Sequence, residues 1–229
     1  MKKNIKSIAL ATVLALGSIS AVQALTLAPQ SCTGNLQQDT DYKKISVSST
    51  DSLAQKMQRD VVIEFFSYAC IHCANLAPTV HKLEQSSPTV KAQIVYMPVV
   101  FRPDWEVAAK LYFALDSLGL ATYENNAKIF KAVHTDKKKI LVDTKEMQSF
   151  LNETFPDKAP TILEQMKGFN VANKINQSKQ LAAKYQVDST PLFVVDKLKG
   201  EQFRVDASIA QTPDRMMTII DSFSKNNCK

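Results

Sequence analysis

Two apolar runs in the first half of the chain predict buried strands, with a helical segment between them. Residues 61–67 read VVIEFFS and residues 93–101 read QIVYMPVVF. Continuous apolar and β-branched runs are typical of strands covered on both faces, as in parallel sheets. Residues 69–85 have helical character, with a kink expected at Pro78. The order strand, helix, strand predicts a βαβ unit, and residues 44–49 (KISVSS) predict a further short strand.

The middle of the chain changes to helical periodicity over about 80 residues. In residues 104–118, apolar side chains recur on one helical face, at Ala108, Leu111, Tyr112, Leu115 and Leu118. Further helices are predicted at 122–134, 144–155, 160–168 and 171–186. We interpret these apolar stripes as the core of a helical bundle and assign them no cofactor role.

Strand patterns return after residue 187 and a helix closes the chain. Residues 191–195 (PLFVV) and 202–205 predict strands, and residues 212–224 predict a helix. Thr212 is suited to the N-cap of that helix, with Pro213 at its first position. The layout predicts one α/β domain that carries an all-helical insertion.

The N-terminus has the pattern of a secretory signal peptide. Three lysines lie within the first six residues, residues 8–16 are mostly apolar, and small residues precede a plausible cleavage point after Ala24. The apolar stretch is too short for an ordinary membrane span, and no later stretch is long enough. No cysteine lies directly after the cleavage point, so a lipid anchor is not expected. A buried N-terminal helix is the alternative interpretation.

Charge gives little support for a nucleic-acid partner. The formal charge of +6 falls to +3 when the three leader lysines are removed, because that stretch contains no acidic residue. The only basic run, Lys137 to Lys139, lies between predicted helices and is interpreted as a solvated loop.

Two of the four cysteines form a C-x-x-C pair, Cys70 and Cys73. Disulfides persist outside the cytosol, so the pair fits an exported chain. A thiol at a helix N-terminus has a lowered pKa, and Cys73 lies one turn further on the same face. We expect Cys70 to be the exposed attacking thiol and Cys73 the partly buried resolving thiol. His72 between them would stabilise the thiolate and make the disulfide more oxidising.

Other uses of the pair are less well supported. Haem attachment of the c type needs a histidine directly after the second cysteine, where this chain has Ala74. Zinc needs about four ligands, and His81 lies too far along a helix to share an ion with Cys73. A metal site assembled from distant residues remains a minor alternative. A purely structural disulfide would close so short a loop that it constrains the unfolded chain little.

Two further features fit redox chemistry. Glu64 interrupts the buried strand VVIEFF, where burial should raise its pKa and let it exchange protons with Cys73. The alternative is a carboxylate at the strand margin in contact with solvent. Thr190 and Pro191 precede the strand LFVV, where a cis bond would present the Thr190 backbone to a substrate peptide. From the residues alone, cis is the minority state for such a bond.

The segment EFFSYACIHC at 64–73 resembles the active-site segment of the DsbA family of periplasmic thiol:disulfide oxidoreductases. The resemblance extends over about 43–227 and includes the segment STPLFVV. It implies a thioredoxin-like fold with an inserted all-helical subdomain. It also implies that Cys70 is the nucleophile, Cys73 its partner, His72 a thiolate stabiliser, Glu64 a buried acid and Thr190–Pro191 a cis-proline loop.

The resemblance also implies partners and a compartment. Unfolded exported proteins would be the substrates, and a membrane quinone-linked oxidase of the DsbB type would recharge the protein in the periplasm. No metal or other cofactor is expected beyond the redox-active Cys70–Cys73 disulfide. The predicted divisions are a signal peptide at 1–24, an irregular segment at 25–42, a thioredoxin-like domain at 43–103 and 187–229, and a helical insertion at 104–186.

Some residues depart from the family pattern. Ile71–His72 stands where Pro-His is commonest, and Thr190 stands where Val often precedes the cis-proline. A disulfide isomerase or reductase on the same fold is therefore the alternative function, and a metal-carrying or holdase-like module is a more distant one. Cys32 and Cys228 lie outside the shared motif, and we predict a structural disulfide between them. An intermolecular bond or two solitary thiols are the alternatives.

Overall fold

The structure, a computed structural model, describes residues 36–225. Five strands form one sheet in the spatial order β1-β5-β4-β2-β3. The strands are β1 (Lys43–Ile45), β2 (Val61–Phe66), β3 (Ile94–Pro98), β4 (Leu192–Asp196) and β5 (Gln202–Asp206).

Strand direction confirms the predicted βαβ unit. β2 and β3 run parallel, with Glu64 opposite Tyr96 in the register. The crossover between them contains the helix predicted after β2. The remaining neighbours, β2 with β4, β4 with β5 and β1 with β5, pair antiparallel. The sheet is therefore mixed, with β4 at its centre and β2 between the early strand β3 and the late strand β4.

Helices occupy most of the rest of residues 36–225. The helices are α1 (Leu53–Met57), α2 (Ile71–Ser86), α3 (Pro88–Gln93), α4 (Pro103–Ser117), α5 (Tyr123–Phe130), α6 (Thr144–Thr154), α7 (Ala159–Gln165), α8 (Phe169–Lys184), α9 (Ala207–Ala210) and α10 (Pro213–Lys225). A π-helical turn, Lys131–Thr135, continues α5. Pro78 lies inside α2, as the sequence indicates.

Three short helices were not predicted from the hydrophobic pattern: α1, α3 and α9. Each begins at a local signal instead of an apolar stripe. The Ser52 side chain caps α1 by accepting a hydrogen bond from the Gln55 N–H, and Asp206 caps α9 in the same way. α3 begins with Pro88, whose fixed φ suits the first helical position.

The two faces of the sheet are covered by different helices. Val61, Ile63 and Phe65 of β2 point to one face, where they pack with residues of α8 such as Leu181. Val62 points to the opposite face, which α2 and α10 cover. This two-sided burial explains why β2 reads as a continuous apolar run.

The helical block is joined to the sheet by shared packing. Phe66 and Tyr68, at the end of β2, belong to the same apolar cluster as Leu111, Leu115 and Ile129 of the block. Both aromatic side chains are buried in the core. α8 lies within the predicted insertion yet covers one face of the sheet.

A buried carboxylate network stabilises the side of the sheet away from the cysteines. The Asp196 carboxylate accepts hydrogen bonds from the Ser52 hydroxyl, the Ala54 N–H, the Tyr185 hydroxyl and the Gln202 amide. Burying a carboxylate is costly unless its oxygens are hydrogen-bonded, and here four residues donate to them. The network therefore ties α1, α8's C-terminal end and β5 to β4.

Several predictions fall outside the described residues. They concern the signal peptide at 1–24, the larger part of the segment 25–42, and the Cys32–Cys228 disulfide. Within residues 36–225, no helix combines the length and the apolar character that crossing a bilayer requires.

Candidate active site

Cys70 lies at the N-cap of α2, just after the connector that follows β2. Its backbone is extended, while the next residue, Ile71, begins the helix. The Cys73 backbone N–H donates to the Cys70 Sγ over 3.3 Å. The sulfur thus occupies the place of a capping oxygen and faces the otherwise unpaired N–H groups of the first helical turn.

This environment lowers the pKa of the Cys70 thiol to about 5. The largest contribution is a hydrogen bond from the Cys73 side chain, and burial opposes it. The Thr190 side chain and the backbone N–H groups of Cys73 and His72 add further hydrogen bonds. Hydrogen bonds to the charged form favour the thiolate, so Cys70 is ionised at neutral pH.

Cys73 has the opposite character. It is 1% exposed, and burial raises the pKa of its thiol well above the ordinary range. Its hydrogen bond to Cys70 and the charges of Cys70 and Glu64 act in the same direction. The pair therefore consists of one acidic sulfur and one sulfur that holds its proton.

The expectation that Cys70 is openly exposed is wrong, because only 7% of this residue is accessible. Cys70 packs in the same apolar cluster as Phe66 and Tyr68. The Thr190 carbonyl covers it from the side of β4, 3.6 Å from the Cys70 Sγ. Cys70 is still the more accessible of the two residues.

The Thr190–Pro191 peptide bond is cis, as the family resemblance implies. It places the Thr190 carbonyl and side chain beside Cys70, 120 residues away in the chain. Arg204 holds the loop before Thr190, since its guanidinium donates to the Gln186 carbonyl and to the Asp188 carboxylate. Nothing in the local sequence marks Arg204 as part of the site, because its partners are distant in the chain.

The structure does not bring the His72 imidazole to the sulfur. His72 is exposed, and the hydrogen bond that it contributes to Cys70 comes from its backbone N–H. Among residues 36–225, its imidazole makes no hydrogen bond or ion pair. Stabilisation of the thiolate by this side chain therefore stays a prediction.

Glu64 is buried in the middle of β2, with 4% of the residue exposed. Burial is the main reason that its pKa is raised to about 8, and the charges of Glu84 and Cys70 add to the effect. The alternative interpretation, a carboxylate at the strand margin in contact with solvent, is wrong. The charge of Glu64 also contributes to the raised pKa of Cys73, so the two groups are electrostatically linked.

The connector between β2 and α2 is fixed by the helical block. The His134 Nε2 lies 2.8 Å from the Tyr68 carbonyl, and the Tyr68 hydroxyl donates to the Asn126 side chain over 2.5 Å. His134 belongs to the π-helical turn, a feature that often marks functional sites. Nothing in the local sequence indicates these contacts, which the fold alone creates.

Metal ligands are not grouped in the part of the chain that the structure describes. Within residues 36–225, no cluster of three or more His, Cys, Asp or Glu side chains is arranged to hold a metal ion.

Comparisons with known proteins agree with this geometry. A sequence model of the DSBA-like thioredoxin domain matches residues 61–214. The thiol:disulfide interchange protein DsbA of Pseudomonas aeruginosa is 30% identical over 199 residues, covering 85% of this chain and 90% of that protein. DsbA of Burkholderia cepacia is 32% identical over 134 residues, covering 58% and 61%. The crystal structure of Pseudomonas aeruginosa DsbA matches with a TM-score of 0.67 at 25% identity, covering 83% of this chain and 93% of that one.

A thioredoxin-like sheet with an acidic cysteine at a helix N-cap and a cis-proline beside it defines a thiol:disulfide oxidoreductase. Within that class, the chain belongs to the DsbA family of disulfide-introducing enzymes.

Proposed function

We propose that the protein donates its Cys70–Cys73 disulfide to reduced, unfolded exported proteins in the periplasm, and that a membrane quinone-linked oxidase of the DsbB type recharges it. The signal-peptide pattern of residues 1–24 supports the compartment. The observation that carries the proposed direction of electron flow is the acidity of Cys70, which favours the reduced form.

In the first step, a substrate thiolate attacks the Cys70 Sγ and the bond between Cys70 and Cys73 breaks. A mixed disulfide forms, and Cys73 leaves as a thiolate, which takes up a proton because the pKa of its thiol is raised well above the ordinary range. The Glu64 carboxyl supplies that proton, because its pKa of about 8 keeps it protonated at neutral pH.

In the second step, another thiolate of the substrate attacks the substrate sulfur of the mixed disulfide. The substrate disulfide forms and Cys70 is released as a thiolate. A thiol of low pKa is a good leaving group, so the acidity of Cys70 favours this release. Two electrons have then passed from the substrate to the cysteine pair, and no other cofactor takes part.

Thr190 and Pro191 would receive the substrate chain. The Thr190 carbonyl beside Cys70 is a backbone acceptor at the reacting sulfur. An extended peptide can pair with such a backbone group, as in strand addition to a sheet edge. Selection would then rest on main-chain contacts, which suits substrates of many sequences.

The test is oxidation of a reduced, unfolded protein by the oxidised enzyme in the absence of any other oxidant. We expect stoichiometric donation of one disulfide, which Cys70→Ser abolishes and the control Cys228→Ser leaves intact. Alkylation and mass mapping across a glutathione series should give a reduction potential for Cys70–Cys73 near about −120 mV, the value typical of the DsbA family. A potential toward about −270 mV would reject the donor role and favour a reductase or isomerase.

A further inference from the structure

A cavity of about 450 Å³ adjoins the buried carboxyl of Glu64. It lies on the face of the sheet that α2 covers, and Phe66 and Tyr96 also line it. No group within residues 36–225 donates a hydrogen bond to Glu64. A cavity of this size with polar groups in its wall can admit water, which would complete the hydrogen bonding of the carboxyl.

A series of polar side chains leads from Glu64 toward the surface. Tyr96 is the register partner of Glu64 on β3, and Glu84 lies close enough to raise the pKa of the Tyr96 hydroxyl, after the larger effect of burial. The Glu84 Oε2 lies 3.8 Å from the His81 Nδ1. The side chains of His81 and Glu84 are 27% and 17% exposed, so both reach solvent. The series thus joins a buried acid to the outside of the protein.

The His81 ring is held in a defined orientation. It stacks on the Tyr123 ring at a centroid distance of 3.8 Å and an angle of 2°. The Gln85 amide nitrogen lies 3.0 Å from the His81 Nε2. The ring is therefore held between Tyr123 and Gln85, with its Nδ1 on the side of Glu84.

Charges around the cavity come from several elements. Glu84 raises the pKa of Glu64 after the larger effect of burial, because two like charges disfavour ionisation. Cys70 and Cys73 face Glu64 from the start of α2, and Tyr112 faces it from α4. Lys91 of α3 and Glu124 of α5 line the same cavity.

We propose that Glu84 and His81 carry protons between the buried Glu64 carboxyl and solvent during exchange at Cys73. The inference rests on the proposed function, in which Glu64 exchanges a proton with Cys73. Both residues act through Glu64 and touch neither sulfur, so they are positioning residues for the proton.

The proton balance can be followed during reoxidation of the reduced pair. The Cys70 thiolate attacks a disulfide, whose S–S bond breaks; one half forms a mixed disulfide with Cys70 and the other half leaves as a thiolate. The Cys73 sulfur then bonds to the Cys70 sulfur, the earlier partner leaves as a thiolate, and the Cys73 proton goes to the Glu64 carboxylate. Glu84 takes the proton from Glu64 through the cavity, and His81 releases it to solvent. During substrate oxidation the same route runs inward.

The test follows the second step of this reaction by rapid quench and mass analysis, with oxidised glutathione as the disulfide. Its rate should rise with pH through the ionisation of Glu64 and reach a plateau. Glu84→Gln should lower the midpoint by about one pH unit, because it removes a like charge. It should also lower the plateau by about tenfold, because the route is interrupted. The control Glu153→Gln, at an exposed ion pair with Lys138, should change neither.

His81→Ala separates proton transfer from a structural role. We expect a lower plateau with an unchanged midpoint, and recovery of the rate when imidazole is added to the buffer. A plateau that stays low with imidazole, or a Glu84→Gln profile identical to the wild type, would overturn the proposal. Donation of a disulfide by Cys70→Ser would instead refute the proposed function, so the two failures are distinguishable.

Discussion

Lowering the pH from 7 to 4 should destabilise the reduced protein relative to its oxidised form. The cause is protonation of the Cys70 thiolate, whose pKa is about 5 in the folded protein against an ordinary 9.0. Between these two values, the unfolded chain binds more protons at Cys70 than the folded chain does. Stability therefore rises with pH in this window.

The magnitude follows from the pKa. At pH 7 the thiolate lies about two pH units above the folded-state pKa, and each unit corresponds to about 1.4 kcal/mol. The ionised Cys70 thus contributes about 3 kcal/mol at pH 7. The contribution is complete above about pH 9 and is lost as the pH falls through 5. The oxidised form has no thiol at this position and should lack the effect.

The assay is urea unfolding of both forms between pH 4 and pH 8. Residues 32 and 228 are changed to serine throughout, so that only the Cys70–Cys73 pair responds to the reductant. The quantity of interest is the free energy of unfolding of the reduced form minus that of the oxidised form. A parallel series in a Glu64→Gln background removes the contribution of Glu64, whose pKa is raised to about 8.

The expected difference grows by about 3 kcal/mol from pH 4 to pH 7. Reduced Cys70→Ala should lose this growth, while reduced Cys73→Ala should keep part of it, since the backbone donors to the Cys70 sulfur remain. A difference that is the same at pH 4 and pH 7 would refute the reasoning, because it would mean that folding does not make Cys70 acidic.

Three further changes should have separate effects. Cys73→Ala should accumulate mixed disulfides at Cys70, visible by mass analysis, because the resolving thiol is gone; absence of adducts would contradict the assigned roles. Asp196→Ala should lower the free energy of unfolding by about 3 kcal/mol in urea titration, since four donors lose their acceptor. A change under about 1 kcal/mol would show that water replaces the carboxylate as the acceptor. Arg204→Gln should raise KM for a reduced peptide more than it lowers kcat, because the loop before Thr190 loses its hydrogen bonds to the guanidinium. Arg204→Lys should recover part of the loss. Equal effects on KM and kcat would argue against a role of Arg204 in positioning the Thr190 loop.

The main elements of the fold follow from long-range regularities in the sequence. The run VVIEFF has no polar alternation because β2 is buried on both faces, and the helical insertion shows apolar stripes of helical period. The short helices α1, α3 and α9 carry no such pattern. They depend on single capping residues and on packing against the sheet, which a hydrophobic profile does not record.

The sequence predicts those parts of the site whose residues are close to one another in the chain. Cys70 and Cys73 share one helical turn, and Glu64 is conspicuous as an acid in an apolar strand. The burial of Cys70 was missed, because Thr190 covers it from a distant segment. Glu84 was also missed, although its spacing of three residues from His81 places both on one side of α2. The sequence does not show that this side of α2 faces Tyr96 of β3 and, through it, the buried Glu64.

The strand order has a consequence for the time at which the thiol becomes reactive. Strand β2, which leads to Cys70, pairs on one side with β3 and on the other with β4, which ends at residue 196. A chain made from its N-terminus has therefore delivered most of its length before the sheet can close. Until then Thr190 is absent from Cys70, and a nascent Cys70 lacks one of the hydrogen bonds that make it acidic. The Cys70 thiol therefore reaches its lowest pKa only when the protein has folded completely. This limits disulfide exchange between an incompletely folded chain and its neighbours.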